Sequence, residues 1–408
     1  MRRIANHQVK GKRVLVRVDF NCPVEDGKVM SDLRIRAHAK TIRNLSDKGA
    51  KVIVLAHQGR KNHNDFMSLE QHAKILHHIL GSDVAFVDDV IGERARHAIE
   101  KLEEGQVLVL DNVRNLKCET EHPHSQGEIV YHLSPLADYF VLDALSVAHR
   151  KHSSIVGFKE KIPCFAGEVL AAEIDAVEKI RKGTDVTFIF GGSKADDSFR
   201  IMDKWLSEGQ AKEVLVAGAL SVLMLHAEGH NIAGSMDYLK NSGLDEKVPA
   251  AKEMLRKFDG KIMLPVDVGI SVRRERRDTE GVRIERRECD VDSIKEGQIW
   301  DIGDKTIERY VRVINNSHFI VLNGPIGVYE LEDFSKGTKA ILEAIARCDA
   351  FSLLGGGHTI AALERFNIEK EYFGYVSLSG KALIRYLCGD KLVGLEALEE
   401  NEEKFKEF

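Results

Sequence analysis

No apolar run in this chain of 408 residues approaches the ~20 needed to cross a bilayer, and its N-terminus carries no apolar stretch of signal-peptide type. The expectation is a cytoplasmic protein without a membrane partner. Cysteine is sparse and scattered: Cys22, Cys118, Cys164, Cys289, Cys348 and Cys388 show no C-x-x-C spacing, which excludes a disulfide framework and a zinc cluster and leaves six reduced thiols. An excess of positive charge is also missing. A formal net charge of −5 argues against nonspecific nucleic-acid binding. No G-x-S-x-G elbow and no H-E-x-x-H pair occurs, so neither the serine hydrolases nor the zinc proteases supply a template. A G-x-G-x-x-G with a ribose-binding acid does not follow the first strand, which disfavours an NAD-dependent dehydrogenase.

What is present is an alternation of short β-branched runs and amphipathic stretches, at 43% hydrophobic and 30% charged residues. That pattern predicts a parallel sheet covered on both faces, and the length predicts two such domains. Strands are expected at 13–18, 52–56, 84–87, 107–110 and 139–142, then at 186–190, 214–217, 261–264, 319–322 and 351–354. Helices are expected at 31–48, opened by Ser31 as N-cap, and at 68–80. The stretch 167–181 reads as one long helix, with Val169, Leu170, Ile174, Val177 and Ile180 near helical spacing.

Ionic residues gather where those strands end. Arg17, Asp19 and Asn21 stand at the carboxyl edge of the first, His57 and Arg60 follow the second, Arg114 the fourth, and His149-Arg150-Lys151-His152 the fifth; Arg34 lies at a helix start. Guanidinium forks at successive strand exits suit one polyanionic ligand, because they match carboxylate and phosphate oxygens. In the second half, Gly191-Gly192-Ser193-Lys194, Asn323-Gly324-Pro325-Ile326-Gly327 and Gly355-Gly356-Gly357-His358-Thr359 each follow a strand. Any one of them alone could be a tight turn, and the first is not a Walker A loop. Three on one rim predict a nucleotide phosphate site. Asp267 and Asp301 are metal candidates that could equally cap a helix or turn. Arg273, Arg274, Arg276, Arg277, Arg283, Arg286 and Arg287 alternate with Glu275, Glu280, Glu285 and Glu288, which reads as a solvated hairpin of balanced charge.

In order along the chain, RVDFNCP, LAHQGR, LDNVR, DALSVAHRKHSS, GGSK, LPVD, DIGD, NGPIGVYE and GGGHT resemble the motifs of phosphoglycerate kinase, over nearly the whole length. The resemblance implies two doubly wound α/β domains joined by a helix. Its bounds here are 1–166 for 3-phosphoglycerate or 1,3-bisphosphoglycerate, 167–182 for the helix and 183–388 for Mg-ATP or Mg-ADP, with a tail at 389–408 docking on the first domain. It carries the substrate role onto Asp19, Asn21, Arg34, His57, Arg60, Arg114 and Arg150. The nucleotide role falls on Gly191, Gly192, Lys194, Asn323, Glu330, Gly355, Gly356, Gly357, His358 and Thr359. Arg34 and Lys194 would screen the phosphoryl group in flight. The chain departs from the pattern at His358, where the family has Asp, and at Ser198, where it has a second lysine. Lys381 is expected to replace part of that missing charge. The departures resemble the archaeal branch. Reversible phosphoryl transfer between 1,3-bisphosphoglycerate and ADP is the expected activity, with Mg²⁺ travelling on the nucleotide.

Overall fold

A computed structural model describes residues 1–121, 124, 126–275 and 282–407. Two compact units emerge, one of Met1–Asp175 with Gly389–Phe408, the other of Ala176–Cys388. The helix Glu168–Lys182 runs continuously across that boundary.

The strands of the first unit are β1 (Arg13–Arg17), β2 (Val24–Glu25), β3 (Lys28–Val29), β4 (Lys51–Leu55), β5 (Val84–Val87), β6 (Val107–Leu110), β7 (Tyr139–Leu142) and β8 (Cys164–Ala166). Six of them form one parallel sheet in the order β5-β6-β4-β1-β7-β8, while β2 and β3 make a small hairpin. The second unit holds β9 (Val186–Phe190), β10 (Ala211–Val216), β11 (Ile262–Met263), β12 (Asp267–Glu275), β13 (Val282–Asp290), β14 (Gln298–Ile302), β15 (Phe319–Asn323), β16 (Phe351–Gly355) and β17 (Tyr375–Ser377). Its parallel sheet runs β11-β10-β9-β15-β16-β17, and β13-β12-β14 form an antiparallel sheet. In sequence rank the six parallel strands lie 3-2-1-4-5-6, the doubly wound order in which ligands bind where the winding reverses. That reversal falls between β9 and β15, whose pairing aligns Phe190 with Asn323. In the first unit it falls between β1 and β7, aligning Arg17 with Leu142.

Central strands are buried on both faces, which is why they are apolar without alternation: Val14, Leu15, Val16, Val52, Ile53, Val54, Phe188, Ile189 and Phe190 are all fully buried. Each such side chain contributes about 1.5–3 kcal/mol on leaving water. The Glu168–Lys182 helix buries Leu170, Ile174, Val177 and Ile180. Its first turn is capped from a distance: Asp143 Oδ1 accepts from Val169 N at 2.9 Å and Leu170 N at 3.4 Å.

Two sequence expectations change. The helix at 31–48 spans Leu33–Asp47 and its N-cap position is Asp32, not Ser31; Asp32 also pairs with Arg36 one turn on. The Arg/Glu-rich segment does form a hairpin, β12 with β13, but it carries on into β14 as a third sheet. Arg276, Arg277 and Glu280 lie outside the described residues.

The chain's end is a helix, Val393–Lys404, with Leu395, Ala397, Leu398 and Asn401 buried. Asn401 spends its whole amide on the first unit. Its Oδ1 accepts from Cys164 N (2.7 Å) and Arg2 Nη2 (3.0 Å), and its Nδ2 donates to the carbonyls of Lys159 (2.6 Å) and Ile162 (2.9 Å).

Candidate functional site

In the first unit, β1, β4, β6 and β7 deliver their charged residues to one rim. Arg17 ends β1, and although charged it is only 1% exposed. Its Nε donates to Ser154 Oγ at 2.8 Å and its Nη2 faces His57 Nδ1 at 3.2 Å. A guanidinium can only donate, so Nδ1 of His57 is the acceptor and the ring's proton sits on Nε2. His57 is held neutral: burial, then Arg17, with Arg114 and Arg150 beyond, drive its pKa well below 6.5 against the pull of Asp19.

Asp19 is almost fully buried, and its carboxylate accepts from Arg34, from Ser146 Oγ and from the amide of Asn21 (3.0 Å). Burial by itself would raise this carboxyl, but Arg34, His57 and those hydrogen bonds hold it well below the ordinary range. Asn21 Oδ1 accepts from Gly59 N at 2.8 Å, and Arg114 Nη1 donates to Gly59 O, so three loops meet at one residue. Gln58, fully buried, fastens the same junction: its Oε1 accepts from Cys22 N (2.8 Å) and its Nε2 donates to Cys22 O (3.0 Å).

The cations also converge electrostatically. Burial, then Arg150 and Arg17, push Arg114 down to about 10, with Arg60 adding to the shift. Arg150 is lowered by burial and by Arg60, opposed by Asp19, and its buried Nε has no hydrogen-bond partner among the described residues. His152 is pushed down to about 3, by burial and then by Arg17, Arg150 and Arg114. Like charges packed closely enough to depress one another are costly unless an anion joins them. Besides Asp19, a second buried carboxyl group faces them: Glu119 accepts from Ser154 N (2.9 Å) and Ser154 Oγ (2.6 Å). Asp19, Asn21, Arg34, His57, Arg60, Arg114 and Arg150 thus share one neighbourhood. Sequence reading undervalued Arg17, and it missed Glu119, Ser154 and Gln58, whose roles depend on contacts distant along the chain.

Burial of neutral histidines has a measurable consequence. His57 and His72 are both depressed below 6.5, His72 to about 4 chiefly by burial. A base whose folded pKa is lowered binds protons more readily unfolded, so stability is lost as pH falls below 6.5. Without ligand, urea unfolding should show a loss of about 1 kcal/mol per histidine between pH 6.5 and 5.5. The His72→Phe variant should show the shallower dependence; an identical slope would show that His72 is not titrating in this way.

In the second unit the three glycine loops surround a cavity of about 360 Å³ lined by Gly191, Gly192, Lys194, Asn323, Glu330, Gly356, Gly357 and His358, among others. The loops interlock through backbone: Gly191 N donates to Asn323 O and Gly192 N to Pro325 O, both at 3.0 Å, and Gly218 N donates to Ile326 O at 2.8 Å. A Cβ at Gly191 would lie 2.0 Å from Pro325 O, so this glycine serves loop packing as much as any ligand. Gly355 is similar, its would-be Cβ meeting Leu383 at 2.7 Å, whereas one on Gly357 meets nothing within 4 Å. Thr359 Oγ1 donates to Gly355 O (2.9 Å) and accepts from Gly324 N (3.2 Å), joining two loops from below. Lys194 is exposed at the N-cap of the helix Ala195–Ser207. His358 lies beside Tyr329 and Glu330, its Nδ1 being 3.4 Å from the Tyr329 hydroxyl and 3.8 Å from Glu330 Oε1.

Ser198 is buried and donates its hydroxyl back to Lys194 O at 3.1 Å, while Lys381 is exposed at the start of the helix after β17. Tyr238, Gln298 and Trp300 also line the cavity. Nothing local in the sequence marks them, although Gly218, two positions after the last residue of β10, carries a glycine-after-strand signal like that of the other loops.

The metal candidates are structural. Asp267 caps the helix Asp304–Asn315, with Oδ1 accepting from Thr306 N (2.7 Å) and Oδ2 from Lys305 N (3.0 Å). Asp301 accepts from Arg286, Gly337 N and Ile302 N. Arg286 is correspondingly not solvated: its side chain is 13% exposed.

The family model described as phosphoglycerate kinase matches residues 4–390. The phosphoglycerate kinase 2 of Methanosarcina acetivorans is 39% identical over 99% of this chain and 96% of its own, and the phosphoglycerate kinase of Thermococcus kodakarensis is 36% identical over 100% and 99%. Among solved structures, the phosphoglycerate kinase of Pyrococcus horikoshii OT3 superposes with a TM-score of 0.91 at 34% identity, covering 99% of this chain and 100% of that one. That from Coxiella burnetii gives 0.80 at 29% identity, covering 97% and 98%. With the doubly wound sheets, the convergent arginines and the glycine-lined cavity all in hand, these matches establish that the chain belongs to the phosphoglycerate kinase family.

Proposed function

We propose that the first unit binds 3-phosphoglycerate or 1,3-bisphosphoglycerate through Asp19, Asn21, Arg34, His57, Arg60, Arg114 and Arg150, and that the second binds ADP or ATP in its glycine-lined cavity. The family's reaction is reversible phosphoryl transfer: in glycolysis the acyl phosphate gives its phosphoryl group to ADP and the carboxylate leaves, and in the reverse, gluconeogenic direction the carboxylate is the acceptor. The observation that carries the substrate assignment is geometric: Arg114 Nη1 and Asn21 Oδ1 meet at Gly59, Arg34 is held on the buried Asp19, and Arg17 Nη2 faces His57 Nδ1, so the strand-exit cations gather at one rim.

A carboxylate nucleophile is ionised near pH 7 and needs no general base, so the chain's task is to gather anions and cancel their repulsion. Asp19 orients Arg34, and the neutral His57 offers an Nε2–H to a ligand oxygen. Arg60, Arg114 and Arg150 grip phosphate and carboxylate oxygens. Arg34 and Lys194 meet the charge that develops on the phosphoryl group, and Lys381 adds positive charge at the strand-exit rim of the second sheet. Among the described residues no cluster of three or more His, Cys, Asp or Glu could cage a metal ion. Mg²⁺ arriving on the nucleotide phosphates fits this surface, where Glu330, a cavity-lining carboxylate, would be the residue available to hold it. When bound, it neutralises phosphate charge. No helix among the described residues is long and apolar enough to cross a membrane, which accords with a cytoplasmic enzyme.

The test is ATP formation from 1,3-bisphosphoglycerate and Mg-ADP by the purified chain, followed with a coupled luminescent readout. Steady turnover supports the reading. Tight binding of both ligands without turnover would refute it.

A further inference from the structure

We propose that Arg286 is a positioning residue for the nucleotide cavity, acting through the buried carboxylate of Asp301; this rests on the nucleotide reading of that cavity. Asp301 lines the cavity from β14, and its side chain has no exposed surface. Its Oδ1 accepts from Ile302 N at 2.9 Å, and its Oδ2 accepts from Gly337 N at 2.9 Å and from Arg286 Nη1 at 2.7 Å. The carboxylate is wedged between the two ends of the segment from Gly327 to Gly337. A Cβ at Gly327 would come within 2.4 Å of Oδ1, and one at Gly337 within 2.1 Å. Both positions therefore admit only glycine while Asp301 stands where it does.

Arg286 reaches this point from β13, a strand that, among the described residues, contributes none to the cavity wall. One guanidinium makes four contacts: Nη1 to Asp301 Oδ2 and to Asp333 O (3.1 Å), and Nη2 to Ile302 O (2.9 Å) and to Glu288 Oε1 (2.8 Å). It therefore ties β14 to the short 3₁₀ turn Glu332–Phe334. Between those anchors lie Val328 and Glu330, which face the cavity, and Tyr329, which contacts His358. Backbone adds a further tie, Val328 N donating to Trp300 O at 2.8 Å. Removing the guanidinium takes the counter-charge from a carboxyl group that burial already pushes up to about 6, and cuts the tie from β14 to the Glu332–Phe334 turn, with the open cavity as the nearest relief. The loop bearing Glu330 then loses its fixed seat.

Calorimetric titration of Mg-ADP, and separately of 3-phosphoglycerate, tests this on the full chain. In Arg286→Met the Kd for Mg-ADP should rise at least tenfold, while the Kd for 3-phosphoglycerate stays within twofold of wild type. Adding Asp301→Asn removes the stranded charge and should recover Mg-ADP affinity to within about threefold of wild type. A merely structural arginine would lower the melting temperature without this ligand selectivity or rescue. A folded Arg286→Met that binds Mg-ADP like wild type overturns the proposal. If that variant does not fold, Arg286→Lys decides: it keeps the charge but cannot span four acceptors, so Mg-ADP should weaken about threefold, and unchanged affinity overturns the proposal. Failure of the wild-type chain itself to bind Mg-ADP would count against the nucleotide reading of the cavity instead.

Discussion

Replacing Lys194 by methionine is expected to lower kcat by 10²–10³-fold, about 3–4 kcal/mol of barrier, with the fold intact. Lys194 stands exposed at a helix start on the rim of the cavity, so no packing is lost with its charge, and stability should stay within about 0.5 kcal/mol of wild type. The size of the effect follows from the chemistry assigned to the site. If no general base is needed, barrier lowering rests on few fixed positive charges, and each carries a large share. Mg-ADP should bind within about tenfold of wild type, because the backbone of the interlocked glycine loops and the helix start remain. Steady-state kinetics together with nucleotide titration separates the two effects. A fall in kcat below tenfold would place the critical charge elsewhere, Lys381 being the first alternative.

The Asn401→Ala change should act on stability rather than on chemistry. It strands the buried Cys164 N, takes an amide donor from the half-buried carbonyl of Lys159 and leaves that of Ile162 only the weak Cys164 thiol, and takes from Arg2 one of its acceptors. Each unsatisfied buried group costs about 1–3 kcal/mol, so a loss of about 3–5 kcal/mol is expected. Because Asn401 is tied wholly to the first unit, that unit should melt earlier, and 3-phosphoglycerate should raise its transition more than Mg-ADP does. An unfolding curve indistinguishable from wild type would show that the Val393–Lys404 helix is dispensable to the first unit.

Much of this was legible in the chain itself, for reasons that differ by element. Buried parallel strands must be apolar on both faces, so Val14–Val16 or Phe188–Phe190 can be recognised without knowing their neighbours. Loops at the carboxyl ends of such strands share a rim, which made Arg114, Arg150, Lys194 and the glycine runs readable as sites. Arg286 was opaque because only its partner, Asp301, distinguishes it from the charged residues around it. Gln58 was opaque for a related reason: its donors and acceptors belong to Cys22 and Asp65, fixed only by the meeting of two loops. Asp267 and Asp301 looked alike as acids near a rim. They separate only when the first is found capping the helix Asp304–Asn315 and the second paired with a buried guanidinium.

The central claim is that separate arginines, brought to one place by strand order, grip the anionic glycerate ligand. A crystal structure of the chain with 3-phosphoglycerate and Mg-ADP tests it most directly. Ligand phosphate and carboxylate oxygens are expected about 2.7–2.9 Å from the guanidinium nitrogens of Arg60, Arg114 and Arg150. A glycerate ligand seated elsewhere, with those three side chains turned to solvent, would contradict it.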